Sequence, residues 1–154
     1  MDIDQKFMKL ALKEAQKARD IDEVPIGAVA VLDGKVIARG HNTREKTGNA
    51  VNHAEIVVIQ KACKKVGNWR LDGVTLYVTI EPCPMCMGAM LNARLKRLVF
   101  GAFDKKGGAC GSLYDINDGK YNHMVEIKSG VLETECGHII RTYFEEKRRK
   151  NKCL

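Results

Sequence analysis

Residues 74–103 set the strongest constraint on what this chain can fold into. They open with VTLYVTI (74–80) and close with RLVFGAF (97–103), both β-branched and aromatic. Runs of this composition read as buried strands. The segment between them begins at Cys83, runs to about residue 96 and is apolar nearly all round, which reads as a helix buried on both sides. A second subunit or a fully internal position would each satisfy that burial.

The same alternation extends both ways. Asp2 or Asp4 can cap a helix over about 5–19, with Phe7, Met8, Leu10, Ala11, Ala15 and Ala18 near one face. Lys9, Lys13 and Lys17 form a solvated row on another. PIGAVAVL and KVIARGHN flank Asp33-Gly34, a hairpin signal. The polar loop TREKTGNAVN follows, then a helix opening at His53 and stopped by Gly67. After RLVFGAF come a glycine-rich loop, DKKGGACGS, a short strand in MVEIKSG and a last helix over about 133–150. The glycine-rich loop lacks the Gly-Lys-Ser/Thr ending of a phosphate-binding loop. Strands alternating with helices after an opening hairpin predict a three-layer α/β/α architecture around a mixed five-stranded sheet. One domain is expected over the 154 residues.

Composition narrows the class. The chain is 45% hydrophobic and 29% charged, as soluble globular proteins are. No apolar run approaches the roughly 20 residues that span a bilayer, and MDIDQKF carries no export signal. Six cysteines without such a signal are expected to be reduced thiols in the cytoplasm. The net charge is +7, and KRRKNK (147–152) holds five of the positive charges. That excess favours a polyanionic partner, although such a run is equally expected as a solvated terminus.

Cys83 and Cys86, in IEPCPMCMGAM, leave three readings open: a metal site, a dithiol redox pair, or core residues. A closed structural zinc site needs a second ligand pair, and Cys63, Cys110, Cys136 and Cys153 stand alone. The discriminating residues lie 30 positions upstream, in NHAEIVV. His53 and Glu55 begin one helix, and the two cysteines begin another. If both helix starts meet at one sheet edge, two thiolates and one imidazole converge as three ligands of a tetrahedral Zn²⁺. Three ligands leave an open position, the mark of a catalytic zinc. A metal-activated water would then attack an amidine-like ring carbon. Glu55, two residues from His53, is placed to move protons and not to bind metal.

HAE followed by PCPMC resembles the zinc-dependent deaminases of the cytidine deaminase-like superfamily. EVPIGAVAV, GHN, NWRL, TLYVTIEPCPMCMGAM, RLVFGAFDKKGGACGSLYD and NHMVEIKSGVLETEC resemble the bacterial tRNA-specific adenosine deaminases over nearly all of the chain. The resemblance implies a homodimeric enzyme with one zinc per subunit. It would convert the wobble adenosine of a tRNA anticodon stem-loop (an arginine tRNA in that family) to inosine. It assigns the zinc to His53, Cys83 and Cys86 and the proton shuttle to Glu55. It places Asn42 on the target base, with Val24, Pro25 and Ala54 lining the base pocket. Asp104 falls near a ribose, and Tyr143 and Phe144 where the anticodon loop is received; separately from the resemblance, the basic pair Lys105 and Lys106 could supply phosphate contacts. Taken without the resemblance, Asn42 reads as a strand-end turn residue, Asp104 as a loop aspartate, and Tyr143 and Phe144 as core. Two positions depart from the family. Pro84 stands where a small apolar residue is common, and a proline between the cysteines also occurs in guanine deaminases. Met87 stands where alanine is common, a larger side chain near the metal or a dimer contact.

Three other readings use the same residues. A guanine or cytosine free-base deaminase shares the zinc site but gains nothing from a basic surface. A zinc-stabilised nucleic-acid-binding module has no use for Glu55. A dithiol redox protein would hold no metal.

Overall fold

A computed structural model describes residues 1–152. Cys153, one of the four cysteines that stand alone in the sequence, lies outside them. Helix α1 (Ile3–Asp20) leads into strands β1 (Gly27–Leu32) and β2 (Lys35–His41). The one-turn helix α2 (Arg44–Thr47) and helix α3 (Ala54–Val66) follow. Strand β3 (Thr75–Ile80), helix α4 (Pro84–Asn92) and strand β4 (Arg97–Ala102) form the central unit. Strand β5 (Glu126–Lys128) and helix α5 (Glu133–Lys152) complete the chain.

The five strands form one mixed sheet in the order β2-β1-β3-β4-β5. β1 is antiparallel to β2 and β3, whereas β3, β4 and β5 are parallel. The hairpin turns through Asp33 and Gly34, both at positive φ (51° and 76°), the twist that a tight two-residue turn requires. Helices cover both faces. Ala54, Val58, Ala62, Met87, Met90 and Leu91 from α3 and α4 pack on Ala28, Leu76, Val78, Leu98 and Phe100. Phe7, Met8 and Ala11 from α1 and Cys136 from α5 pack on Val29, Val31, Tyr77 and Val99. Each large apolar side chain buried in these layers contributes about 1.5–3 kcal/mol.

Several local expectations are corrected. Asp2 is the cap of α1, in a reciprocal capping box with Gln5. Asp4 turns inward instead and accepts hydrogen bonds from Tyr77, Arg97 and Lys128. The loop 43–52 contains the short helix α2. Helix α4 stops at Asn92, not near residue 96. Arg94 takes φ 59°, and the amides of Arg94 and Leu95 turn back onto the carbonyls of Leu91 and Met90. Helix α5 stays helical through Lys152, so the basic run is the end of a helix.

The register gathers several chain segments at one sheet edge. β1 is antiparallel to both neighbours, so its start lies beside the ends of β2 and β3. Residues 21–26, Asn42, Cys83 and the loop after β4 therefore share that edge. Edges where the strand order reverses, at the carboxyl ends of parallel strands, are the usual place for ligands.

Candidate metal centre and adjoining groove

His53 and Cys83 are the N-caps of α3 and α4. Neither side chain caps its own helix, so both are available to face across the gap between the helix starts. Nδ1 of His53 lies 3.6 Å from the Sγ atoms of both Cys83 and Cys86. The three ligand atoms fall within 4.8 Å of one another. A tetrahedral zinc with bonds of about 2.0–2.3 Å separates its nitrogen and sulfur ligands by about 3.6 Å. The spacing and the donor set therefore fit a zinc-like ion. Pro84 occupies the first turn of α4, where a proline loses no helical hydrogen bond.

The electrostatics of the trio favour the same ligand. The Cys83 thiol is pulled down to about 4, first by a hydrogen bond from the Cys86 thiol and also by His53. The Cys86 thiol is pushed up, first by that same bond to the Cys83 thiolate and then by burial. His53 is raised, chiefly by its hydrogen bond to Cys83. A divalent cation held between the two sulfurs and the imidazole would favour both cysteines as thiolates. Glu55 is buried at the start of α3, and its desolvation raises the carboxyl to about 7. A carboxyl poised there can both accept and donate a proton near neutral pH.

Beside His53 opens a cavity of about 140 Å³, lined by Val24, Ile26, Asn42 and Arg44. Asn42 is buried; its Oδ1 accepts from the Arg44 amide, and its Nδ2 reaches the Val24 carbonyl only at 3.4 Å. A groove of about 590 Å³ shares Val24, Asn42 and Arg44 and continues to Lys46, Phe144 and Lys147. Pro25 and Ala54 are buried beside these walls and do not line the cavity.

The remaining site expectations divide. Phe144 and Tyr143 both line the groove, Phe144 40% exposed and Tyr143 7% exposed. The Tyr143 hydroxyl donates to Asp22, which also pairs with Lys147 at 2.8 Å, so Tyr143 ties α5 to the segment after α1. Asp104 caps its own turn, accepting from the amides of Lys106 and Gly107. Lys106 is exposed. Met87 faces the core with its sulfur 3.5 Å from Cys110 Sγ and is not on the outer side of α4.

Two buried carboxylates that organise the loops around the site carry no signal that sequence reasoning picked out. Glu81 receives the amides of Asp104, Cys110 and Ser112 and the Ser112 hydroxyl, which pins the loop after β4 against the start of α4. These donors outweigh burial and hold its carboxyl below the ordinary range. A Cβ on Gly108 would overlap the Glu81 carboxyl group, so only glycine lets the loop approach so closely. Glu23 accepts from the amides of Glu45 and Lys46 at 2.9 and 2.8 Å. The only available signals are single glutamates in EVPIG and IEPC, without periodicity to mark them.

The MafB19-like deaminase family matches residues 1–148. A tRNA-specific adenosine deaminase of Bacillus subtilis (strain 168) is 53% identical over 150 residues, spanning 97% of this chain and 93% of that protein. This chain belongs to the tRNA-specific adenosine deaminase family. A solved structure from studies of A-to-I editing by tRNA:A34 deaminases at the wobble position of transfer RNA is 48% identical. It covers 87% of this chain and 98% of its own, with a TM-score of 0.83. A guanine deaminase from Bacillus subtilis is 40% identical but covers 64% of this chain and 63% of its own, with a TM-score of 0.61. The likeness to the tRNA-specific adenosine deaminase family thus extends over more of the chain than the likeness to that guanine deaminase. No helix among the described residues is long and apolar enough to cross a membrane.

Proposed function

We propose that this deaminase converts adenosine to inosine at the wobble position of a tRNA anticodon, an arginine tRNA as in its family, within one domain formed by residues 1–154. The observation that carries this reading is the groove that joins the His53 cavity to Phe144 and Lys147. A free base needs only the small cavity. A nucleotide held in an RNA loop also needs a surface for its neighbours.

His53, Cys83 and Cys86 would hold one zinc per chain. When bound, the ion supplies a Lewis acid that activates water for attack on the purine ring. Glu55 takes the water's proton, delivers it to the ring nitrogen and then protonates the departing amine, so that adenosine and water yield inosine and ammonia. Asn42 hydrogen-bonds the base with the Nδ2 that Val24 engages only weakly. Val24 lines the pocket, and Pro25 and Ala54 support its walls from behind. Phe144 offers a stacking face for a neighbouring base, and base–aromatic stacking is worth about 1–3 kcal/mol. Asp104 holds the turn that presents Lys106 to the RNA backbone. Arg148, Arg149, Lys150 and Lys152 have no ion-pair partner among the described residues and supply further phosphate contacts.

The active form is a homodimer. Its support is the outer side of α4, where Pro84, Met85, Gly88 and Ala89 leave an apolar strip while Cys86, Met87, Met90 and Leu91 face the core. The compartment is the cytoplasm, where tRNA is found and where the free thiols of Cys63, Cys83, Cys86, Cys110 and Cys136 stay reduced.

The test is deamination of an anticodon stem-loop beside free adenosine, guanine and cytosine at two salt concentrations. The stem-loop should turn over fastest, and its binding should weaken as salt rises. Faster turnover of free guanine, insensitive to salt, would replace this reading with a free-base deaminase.

A further inference from the structure

Besides His53 and the α5 residues Tyr143, Phe144 and Lys147, the cavity and the groove are walled by two chain segments, 21–26 and 42–46. Neither belongs to a strand. Each lies at the sheet edge just outside one, so the sheet alone does not set the distance between them. Three contacts do. The Asn42 amide donates to the Ile26 carbonyl at 3.0 Å. Asn42 Nδ2 reaches Val24 at 3.4 Å. The third contact is Glu23, whose two carboxylate oxygens each accept one backbone amide, from Glu45 and Lys46.

Glu23 is 1% exposed, so these bonds are shielded from competing water. Thr43, the residue before α2, makes no side-chain capping bond, so Glu23 satisfies orphan amides of that turn from the opposite wall. Arg44, which lines both the cavity and the groove, begins that same turn. Its amide also holds Asn42 Oδ1 at 3.2 Å, which fixes the orientation of the Asn42 side chain. A change at Glu23 therefore reaches Asn42 through α2 without touching His53 or the cysteines.

We propose that Glu23 is a positioning residue that sets the width of the base pocket, and with it the discrimination between purine and pyrimidine targets. This rests on the reading of the site as an RNA deaminase. Glu23 itself meets no reacting atom. A displacement of about 1 Å in the geometry of a bound reactant can cost about a hundredfold in rate, so a pocket wall held by one carboxylate is a sensitive element.

The decisive variants are Glu23→Gln and Glu23→Asp, made in the full chain. Glutamine keeps the shape but turns an NH₂ toward one of the two amides. Aspartate keeps both acceptor oxygens on a shorter arm. Amide hydrogen exchange at Glu45 and Lys46 should speed up at least tenfold in Glu23→Gln, with zinc content and exchange at Val78 unchanged. On stem-loops carrying adenosine or cytidine at the target position, Glu23→Gln should lower kcat/KM for adenosine about tenfold. It should narrow the adenosine-to-cytidine preference, and Glu23→Asp should fall between it and the wild type. Unchanged exchange at residues 45 and 46 would overturn the proposal. So would faster exchange with an unchanged preference, because the clamp would then exist without positioning substrate. A wild-type protein that deaminates neither stem-loop would instead refute the RNA reading, and the exchange measurement would still decide whether Glu23 holds the two walls together.

Discussion

His53 Nδ1 and Cys86 Sγ lie 3.6 Å apart although 33 residues separate them in the chain. The contact exists because α3 and α4 start at the same sheet edge, each with a ligand residue at its N-cap. Replacing Cys86 with alanine leaves two ligands of three. Zinc content of Cys86→Ala, measured by atomic emission, should fall from about one per chain to near zero, while Cys110→Ala should keep its metal. Full zinc occupancy in Cys86→Ala would rule out the trio as the metal site.

Glu55 is buried among the ligands but contributes no atom to the trio. Glu55→Ala should retain zinc and RNA binding while kcat falls about a hundred- to ten-thousand-fold, the range for a missing general acid–base group. The check is single-turnover kinetics alongside metal analysis. Loss of metal in this variant would assign Glu55 to the coordination sphere instead.

Glu81 concentrates four hydrogen bonds from one loop on a single buried carboxylate. Glu81→Ala should destabilise the protein by about 2–3 kcal/mol, since it strands backbone amides that the loop cannot all hydrate. For a chain of this size that lowers Tm by about 5–10 °C. Calorimetry measures the shift, and hydrogen exchange should place the loosening in residues 104–112.

Asp4 is one of the carboxylates that make the fold sensitive to acid. Arg97, by hydrogen bonding, does most to hold its carboxyl well below the usual carboxylate range, aided by Lys128 and Tyr77. A depressed folded-state value means that this contribution is complete above the unfolded value, near pH 4, and is lost as pH falls below it. Asp4→Asn should cost about 3 kcal/mol at pH 7, because Arg97 and Lys128 lose their shared partner. Chemical denaturation from pH 7 to pH 2 should show the wild type losing more stability than the variant.

The regular elements and the residues of the candidate metal trio are legible in the sequence for a shared reason: each carries a local signal. β-branched runs mark β3 and β4, the Asp33-Gly34 pair marks the hairpin, and His53-x-Glu55 with Cys83-x-x-Cys86 marks two helix starts. Glu23 and Glu81 carry no such signal, and only tertiary structure shows which loop amides converge on them. The end of α4 is hidden because apolar residues continue past Asn92, while the turn at Arg94 depends on a left-handed backbone that composition does not announce. Tyr143 and Phe144 are neighbours on one helix, and only the position of Asp22 shows that one is an anchor and the other a free face.

Salt dependence separates the charged end of α5 from the catalytic core. Lys147 is tied to Asp22, so truncation after Lys147 spares that pair and removes Arg148, Arg149, Lys150 and Lys152. The slope of log binding against log salt should become shallower by about 0.7 for each phosphate that the shortened chain no longer engages. KM for the stem-loop should rise while single-turnover chemistry changes little. Fluorescence anisotropy at several salt concentrations reads the slope.

The most direct measurement is nucleoside mass spectrometry of a transcribed anticodon stem-loop after incubation with the zinc-loaded protein, with Glu55→Ala as the parallel control. Inosine should appear at the wobble position with the wild type and be absent with the variant. A stem-loop that keeps its adenosine while the same wild-type preparation converts free guanine to xanthine would contradict the proposed function.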